Sequence, residues 1–245
     1  MIESIPSVVT VSDPLLRRNA LLFGRLYGYR SRNAHLGPAL PEGAQRFLTA
    51  NLRLEIRPSR LGGGRPSPGR VTPIVKLANC PAVLSSRPAG FAEVVFLSRD
   101  PRAVARSKTA HWNMPDDLDD TLDAMGAEAS NWTYNHQRRD DPLFRHLVAS
   151  CILSELHLRH ARDGNAPVVQ YERLTSGDLD SLGFLSRIDG DWRCYITRSY
   201  HRKSRTTGQP SPEPPNWFET EFEAITAAFE LDMVRSLYGT QGDRA

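Results

Sequence analysis

The chain has 245 residues, a length that fits one α/β domain with a sizeable core. Hydrophobic residues make up 40% and charged residues 24%, which excludes an intrinsically disordered chain. The formal net charge of +3 is too small to require a polyanionic partner, although local basic clusters can hold phosphate groups.

The targeting and cysteine patterns favour a reducing compartment. No apolar run approaches the roughly 18 residues of a membrane span, and the first residues lack the charged-then-apolar pattern of a signal peptide. The three cysteines, Cys80, Cys151 and Cys194, form no CxxC pair, which argues against a disulfide framework or a zinc site. We therefore expect a cytoplasmic protein with no membrane span and no metal.

The order of predicted elements indicates an α/β fold. Residues 8–11 (VVTV) read as a buried strand, followed by leucines at helical spacing. Residues 73–77, 93–98 and 167–171 are apolar and β-branched and read as further buried strands. Strands alternate with helices, so we expect a single domain over residues 1–245 with a central, mainly parallel sheet flanked by helices.

Helical spacing predicts two long elements in the second half. Phe144 and the apolar residues that follow it up to Leu156 give an amphipathic helix that Gly164 closes. A second set predicts the buried face of a C-terminal helix, and its members are Phe218, Phe222, Ile225, Phe229 and Met233. Residues 57–70 (RPSRLGGGRPSPGR) are expected to be a mobile loop, and residues 240–245 a disordered tail.

The most informative stretch is residues 94–107, VVFLSRDPRAVARS. Arg99 follows a buried strand, at the edge of an α/β sheet where ligands bind. Asp100 is a good N-cap and Pro101 fits the first helical position, so a helix is predicted to begin at Pro101. The guanidinium of Arg99, the hydroxyl of Ser107 and the free N–H groups of the helix are then able to hold one phosphate group.

This stretch resembles the 3′-phosphate-binding segment of the sulfotransferase family. In that family a strand ends in Arg, a helix begins at a following Pro, and a Ser lies eight positions after the Arg. Arg99 and Ser107 have that spacing. The resemblance implies the sulfotransferase architecture, a variant of the P-loop NTPase-like fold, with 3′-phosphoadenosine 5′-phosphosulfate as donor substrate.

Further segments match the family in the same order along the chain. Residues 168–174 (VVQYERL) resemble the strand that ends in Tyr-Glu-Asp-Leu, which makes Tyr171 a cofactor-binding candidate. Arg202, Lys203 and Ser204 resemble the Arg-Lys-Gly segment that closes over the 3′-phosphate, with Ser in place of Gly. Residues 231–239 resemble the closing helix of the family.

The expected 5′-phosphosulfate loop departs from the family pattern. The family has Pro-Lys-Ser-Gly-Thr-Thr after its first strand, whereas residues 13–19 here read DPLLRRN. Arg17, Arg18 and Asn19 are the candidates for that phosphate, although a loop without Gly forms a nest of N–H groups less easily. Lys76, at the end of a predicted strand, matches the Lys that stabilises the leaving group in the family.

The general base is left open by the sequence. The family has His two residues after that Lys, where this chain has Ala78. A base must reach the acceptor hydroxyl, and His35, Glu42 and His111 are the candidates. The resemblance thus implies sulfuryl transfer to a hydroxyl or amine of a small-molecule or glycan acceptor.

Three other functions stay open at this point. A non-catalytic relative that binds a nucleotide or a protein partner agrees with the altered loop and the missing His. A kinase-like phosphotransferase is disfavoured because GxxxxGK[ST] is missing. Nucleic-acid binding through residues 57–70 lacks an accompanying base-stacking motif, so no nucleic-acid partner is expected.

Overall fold

A computed structural model of the protein describes residues 8–12, 72–76, 94–111, 118–187, 191–200 and 213–239. Contacts divide the chain into two compact units. The N-terminal unit comprises residues 1–94 and 173–209, and the C-terminal unit comprises residues 95–172 and 210–245. The single-domain organisation stays a prediction, and residues 57–70 and 240–245 lie outside the described residues.

The described elements are mostly helices, with four short strands. The strands are β1 (Val8–Ser12), β2 (Thr72–Lys76), β3 (Phe96–Ser98) and β4 (Val168–Gln170). The α-helices are α1 (Pro101–His111), α2 (Leu118–Met125), α3 (Ala127–Tyr134), α4 (Pro142–Asp163), α5 (Tyr171–Thr175), α6 (Trp192–Tyr200), α7 (Phe218–Ala228) and α8 (Asp232–Tyr238). A 3₁₀ helix spans Asp180–Arg187.

The strands pair in parallel, as the α/β prediction requires. In the N-terminal unit β1 pairs with β2, and in the C-terminal unit β3 pairs with β4. The predicted strands at residues 8–11 and 73–77 are confirmed to within one residue. The strands predicted at 93–98 and 167–171 are shorter than expected, since β3 begins only at Phe96 and a helix begins at Tyr171.

The long helix α4 forms the centre of the C-terminal unit. Asp141 caps its N-terminus by accepting the N–H groups of Leu143 and Phe144, and the helix ends at Gly164 as predicted. Helices α1, α2, α7 and α8 pack against it. The shared core is apolar and includes Leu118, Leu122, Phe144, Leu147, Ile152, Phe218, Phe222, Ile225 and Val234.

The predicted C-terminal helix is two helices, which corrects the sequence expectation. Helix α7 ends because Glu230 adopts a positive φ of 52°. The N–H of Leu231 then donates to the carbonyl of Thr226 at 2.9 Å, and that of Glu230 to Ala227 at 3.3 Å. This bond pair is a Schellman motif, which ends one helix and lets α8 start in a new direction.

A buried carboxylate holds the start of α8. Leu231 precedes the helix and offers no side-chain acceptor, so the first N–H groups need another partner. Glu155 of α4, only 2% exposed, accepts the N–H groups of Met233 and Val234 with one oxygen, both at 3.0 Å. Its other oxygen accepts the Nε–H of Arg159 at 2.9 Å. The carboxylate therefore joins α8 to α4.

Candidate functional site

The predicted strand-to-helix junction is present in the C-terminal unit. Strand β3 ends at Ser98 and α1 begins at Pro101, as the sequence predicted. The Asp100 carboxylate accepts the N–H of Arg102 at 2.8 Å, which is the bond of an N-cap residue. Arg99 lies between the strand and this cap, and its side chain is exposed.

The structure brings Arg99 together with Tyr171. The parallel register pairs Ser98 with Gln170, so Arg99 and Tyr171 are both the first residues after their strands. The guanidinium carbon of Arg99 lies 5.1 Å from the centre of the Tyr171 ring, within the range of a cation–π contact. Two of the predicted cofactor-binding residues therefore meet at the carboxyl ends of neighbouring strands.

The N-terminus of α1 is already occupied by carboxylates of the chain. Glu172 reaches from beyond β4 and accepts the N–H of Asp100 at 2.9 Å. Asp100 itself accepts the N–H of Arg102, and Pro101 has no N–H to offer. The N–H groups of Asp100 and Arg102 are therefore bonded within the chain, and phosphate binding at the start of α1 stays a prediction.

Arg102 balances the negative charge at this junction. Its guanidinium donates to both oxygens of Asp100, to Glu219 at 2.6 Å and to the carbonyl of Tyr238 at 2.8 Å, and it lies over the Phe222 ring. Burial by itself opposes the charge, but the bonds to Asp100 and Glu219 outweigh burial and raise the Arg102 pKa above its usual value. The charge of Asp100 is thereby offset beside Arg99.

The Ser98 hydroxyl is hydrogen-bonded within the protein interior. Its buried hydroxyl lies 2.6 Å from the hydroxyl of Tyr238 in α8. Burial raises the pKa of the Tyr238 phenol far more than the bond to Ser98 lowers it, so the phenol stays protonated at physiological pH. This pair fixes the end of β3 against α8, directly before Arg99.

Ser107 lies in α1, two turns beyond the junction and half-buried. Six residues separate it from Pro101, a rise of about 9 Å along the helix axis. Ser107 lies seven positions after Asp100, and this spacing is close to two complete helical turns. Both positions therefore lie on the same face of α1. The role of Ser107 beside Arg99 stays a prediction.

The N-terminal unit holds the other predicted strand end. Strands β1 and β2 pair in a register that sets Ser12 opposite Lys76, the last residue of each strand. Residues 13–19, the candidate 5′-phosphosulfate loop, follow Ser12 directly. The backbone thus places Lys76 next to the point where that loop begins.

The structure does not describe the side chains of the remaining candidate site residues. Arg17, Arg18, Asn19, His35, Glu42, Arg202, Lys203 and Ser204 lie outside the described residues. His111 is the last residue of α1, and its side chain also lies outside them.

Several residues of the junction were missed by the sequence reasoning. Two of them had local signals in the sequence. Arg102 follows the N-cap Asp100 by two residues, and Glu172 directly follows Tyr171 at the end of a predicted strand. Glu219 and Tyr238 gave no local signal, since their partners lie more than a hundred residues away in sequence.

Comparisons with protein-family models, with curated proteins and with solved structures gave no match. In the part of the chain that the structure describes, no group of three His, Cys, Asp or Glu side chains is placed to hold a metal ion. In the same part, none of the helices combines the length and the apolar character needed to cross a membrane.

Proposed function

We propose that this protein is a sulfotransferase, which moves a sulfuryl group from 3′-phosphoadenosine 5′-phosphosulfate to a hydroxyl or amine of a small-molecule or glycan acceptor. The proposed architecture is one central, mainly parallel sheet of the P-loop NTPase-like type. The two observed parallel strand pairs and the strand–helix junction after β3 are compatible with it.

The observation that carries the proposal is the Arg99–Tyr171 pair. Both residues sit at the carboxyl ends of adjacent parallel strands, the usual place for a ligand in an open α/β sheet. Arg99 is exposed, while the neighbouring Asp100 is paired with Arg102. A planar guanidinium in this position suits the 3′-phosphate of the nucleotide, with Ser107 further along α1.

Lys76 supports the transfer step in this proposal. The acceptor oxygen or nitrogen attacks sulfur, the bond from sulfur to the bridging oxygen breaks, and 3′-phosphoadenosine 5′-phosphate leaves with the electron pair. A cation beside that oxygen stabilises the transition state more than the ground state. Lys76 lies at a strand end next to the start of the 13–19 loop, which favours this role. The acceptor proton passes to a base among His35, Glu42 and His111.

A non-catalytic relative is the second candidate function. The loop at residues 13–19 contains neither Gly nor Lys, and Ala78 stands where the family has its His. In that case the protein binds the nucleotide at Arg99 without turnover. Product release from the sulfated nucleotide with a broad acceptor panel separates the two candidates.

The test of the nucleotide site is the Arg99→Ala variant. A hydrogen bond to a charged group is worth about 1.5–3 kcal/mol, so its preference for 3′-phosphoadenosine 5′-phosphate over AMP should fall about tenfold or more. Arg162→Ala is the matched control, because Arg162 is exposed in α4 and pairs with its neighbour Asp163. A folded Arg99→Ala protein that keeps the full preference refutes the assignment.

A further inference from the structure

The two strands of the C-terminal unit separate directly after their last pair. The backbone ladder of β3 and β4 ends at Ser98 and Gln170. Beyond this point β3 leads into the cap of α1, while β4 turns into α5 at Tyr171. Arg99 therefore follows the last residue that the sheet itself holds in place.

Just beyond the end of the β3–β4 ladder, the Glu172 side chain bonds to the backbone of Asp100. The N–H of Asp100 precedes α1 and has no partner within that helix. The Glu172 carboxylate accepts it at 2.9 Å, at the position that continues the register from Ser98 and Gln170. Arg99 is thus flanked by two fixed points, the last ladder pair before it and the Asp100–Glu172 bond after it.

We propose that Glu172 is a positioning residue for Arg99, which holds the backbone so that the guanidinium lies over Tyr171 and faces the phosphate of the nucleotide. This inference rests on the proposed function. What matters in this role is that the Glu172 side chain is long enough for its oxygen to accept the Asp100 N–H. The negative charge is not needed, and it acts against a phosphate bound at Arg99.

Two conservative variants of Glu172 separate the effect of side-chain length from the effect of charge. Glu172→Gln keeps the length of the side chain and an acceptor oxygen but removes the charge. Glu172→Asp keeps the charge but shortens the side chain by one methylene, so the 2.9 Å bond is lost. The same two substitutions at Glu128, an exposed residue in the first turn of α3, are the controls.

The readout is the ratio of the dissociation constants for AMP and 3′-phosphoadenosine 5′-phosphate, measured by calorimetry on the full chain. A loss of stability alone does not change this ratio in the folded protein. We expect Glu172→Gln to keep the ratio or raise it, and Glu172→Asp to lower it about tenfold, the scale of one misaligned charge-assisted bond. The Glu128 variants should match the wild type.

Each other outcome overturns the inference. An unchanged ratio in Glu172→Asp shows that the bond does not position Arg99. A loss in Glu172→Gln that equals the loss in Glu172→Asp shows that the charge is needed as well as the length of the side chain. A wild-type protein without any preference for the 3′-phosphate refutes the proposed function and this inference with it. A wild-type preference that survives in Glu172→Asp refutes the inference alone.

Discussion

Glu155 offers the sharpest test of how the C-terminal unit is held together. Its carboxylate is 2% exposed and accepts three hydrogen bonds, two from the start of α8 and one from Arg159. The Glu155→Ala variant leaves the N–H groups of Met233 and Val234 without this acceptor. The Val234 bond is fully buried, so water does not replace it there.

The expected loss of stability follows from these bonds. An unsatisfied buried donor costs about 1–3 kcal/mol, so two fully buried donors would cost about 2–6 kcal/mol. Because the Met233 bond is only part-buried, we expect a loss of about 2–4 kcal/mol for Glu155→Ala. The Arg159 side chain is 43% exposed and regains water, so it adds little. Glu155→Gln keeps one oxygen for α8 but turns an amide NH₂ toward Arg159, which predicts a smaller loss of about 1–2 kcal/mol.

Urea denaturation followed by tryptophan fluorescence measures the difference. The transition midpoint should fall in the order wild type, Glu155→Gln, Glu155→Ala, with an unchanged slope. Glu128→Ala, at an exposed position, is the control and should lie within about 0.5 kcal/mol of the wild type. A loss below about 1 kcal/mol for Glu155→Ala would refute the view that this carboxylate caps α8.

Three further predictions concern catalysis, a thiol and a histidine. Lys76→Met should leave nucleotide binding nearly intact and lower the release of 3′-phosphoadenosine 5′-phosphate about a hundredfold, and a variant as fast as the wild type contradicts the role of Lys76. Burial raises the pKa of the Cys151 thiol, so in the native protein a maleimide should label the exposed Cys194 and spare Cys151 until denaturant is added, as peptide mapping will show. Burial lowers the His160 pKa below its usual 6.5, so the unfolded chain binds more protons and stability falls as the pH drops below that value. The midpoint of His160→Gln should depend less on pH between pH 7 and pH 5 than that of the wild type, and identical dependence refutes this.

Local sequence signals predicted the junction and the long helix well. Asp100-Pro101 places an N-cap before a residue that fits the first helical position, and α1 begins there as predicted. The apolar spacing after Phe144 predicted the buried face of α4. Arg99 was expected at the edge of the sheet where ligands bind, and Tyr171 was a candidate through the family resemblance. The structure brings the two side chains together.

Contacts between distant residues were not predictable in the same way. Glu155 looks like a surface residue of an amphipathic helix until its partners in α8, 78 and 79 residues away, are known. The break between α7 and α8 contains neither Gly nor Pro, and Glu230 adopts its positive φ only because the Schellman bonds and the packing of Leu231 stabilise the turn. The occupation of the α1 N-terminus by Glu172 also depends on a partner 72 residues away.

Binding of a nucleotide through its 3′-phosphate at Arg99 is the basis of the proposed function. Calorimetric titration of the wild-type protein with 3′-phosphoadenosine 5′-phosphate and, separately, with AMP tests it most directly. We expect the 3′-phosphorylated nucleotide to bind at least about tenfold more tightly, because one charge-assisted hydrogen bond is worth that much. Equal affinity for the two nucleotides, or no binding of either, would contradict it.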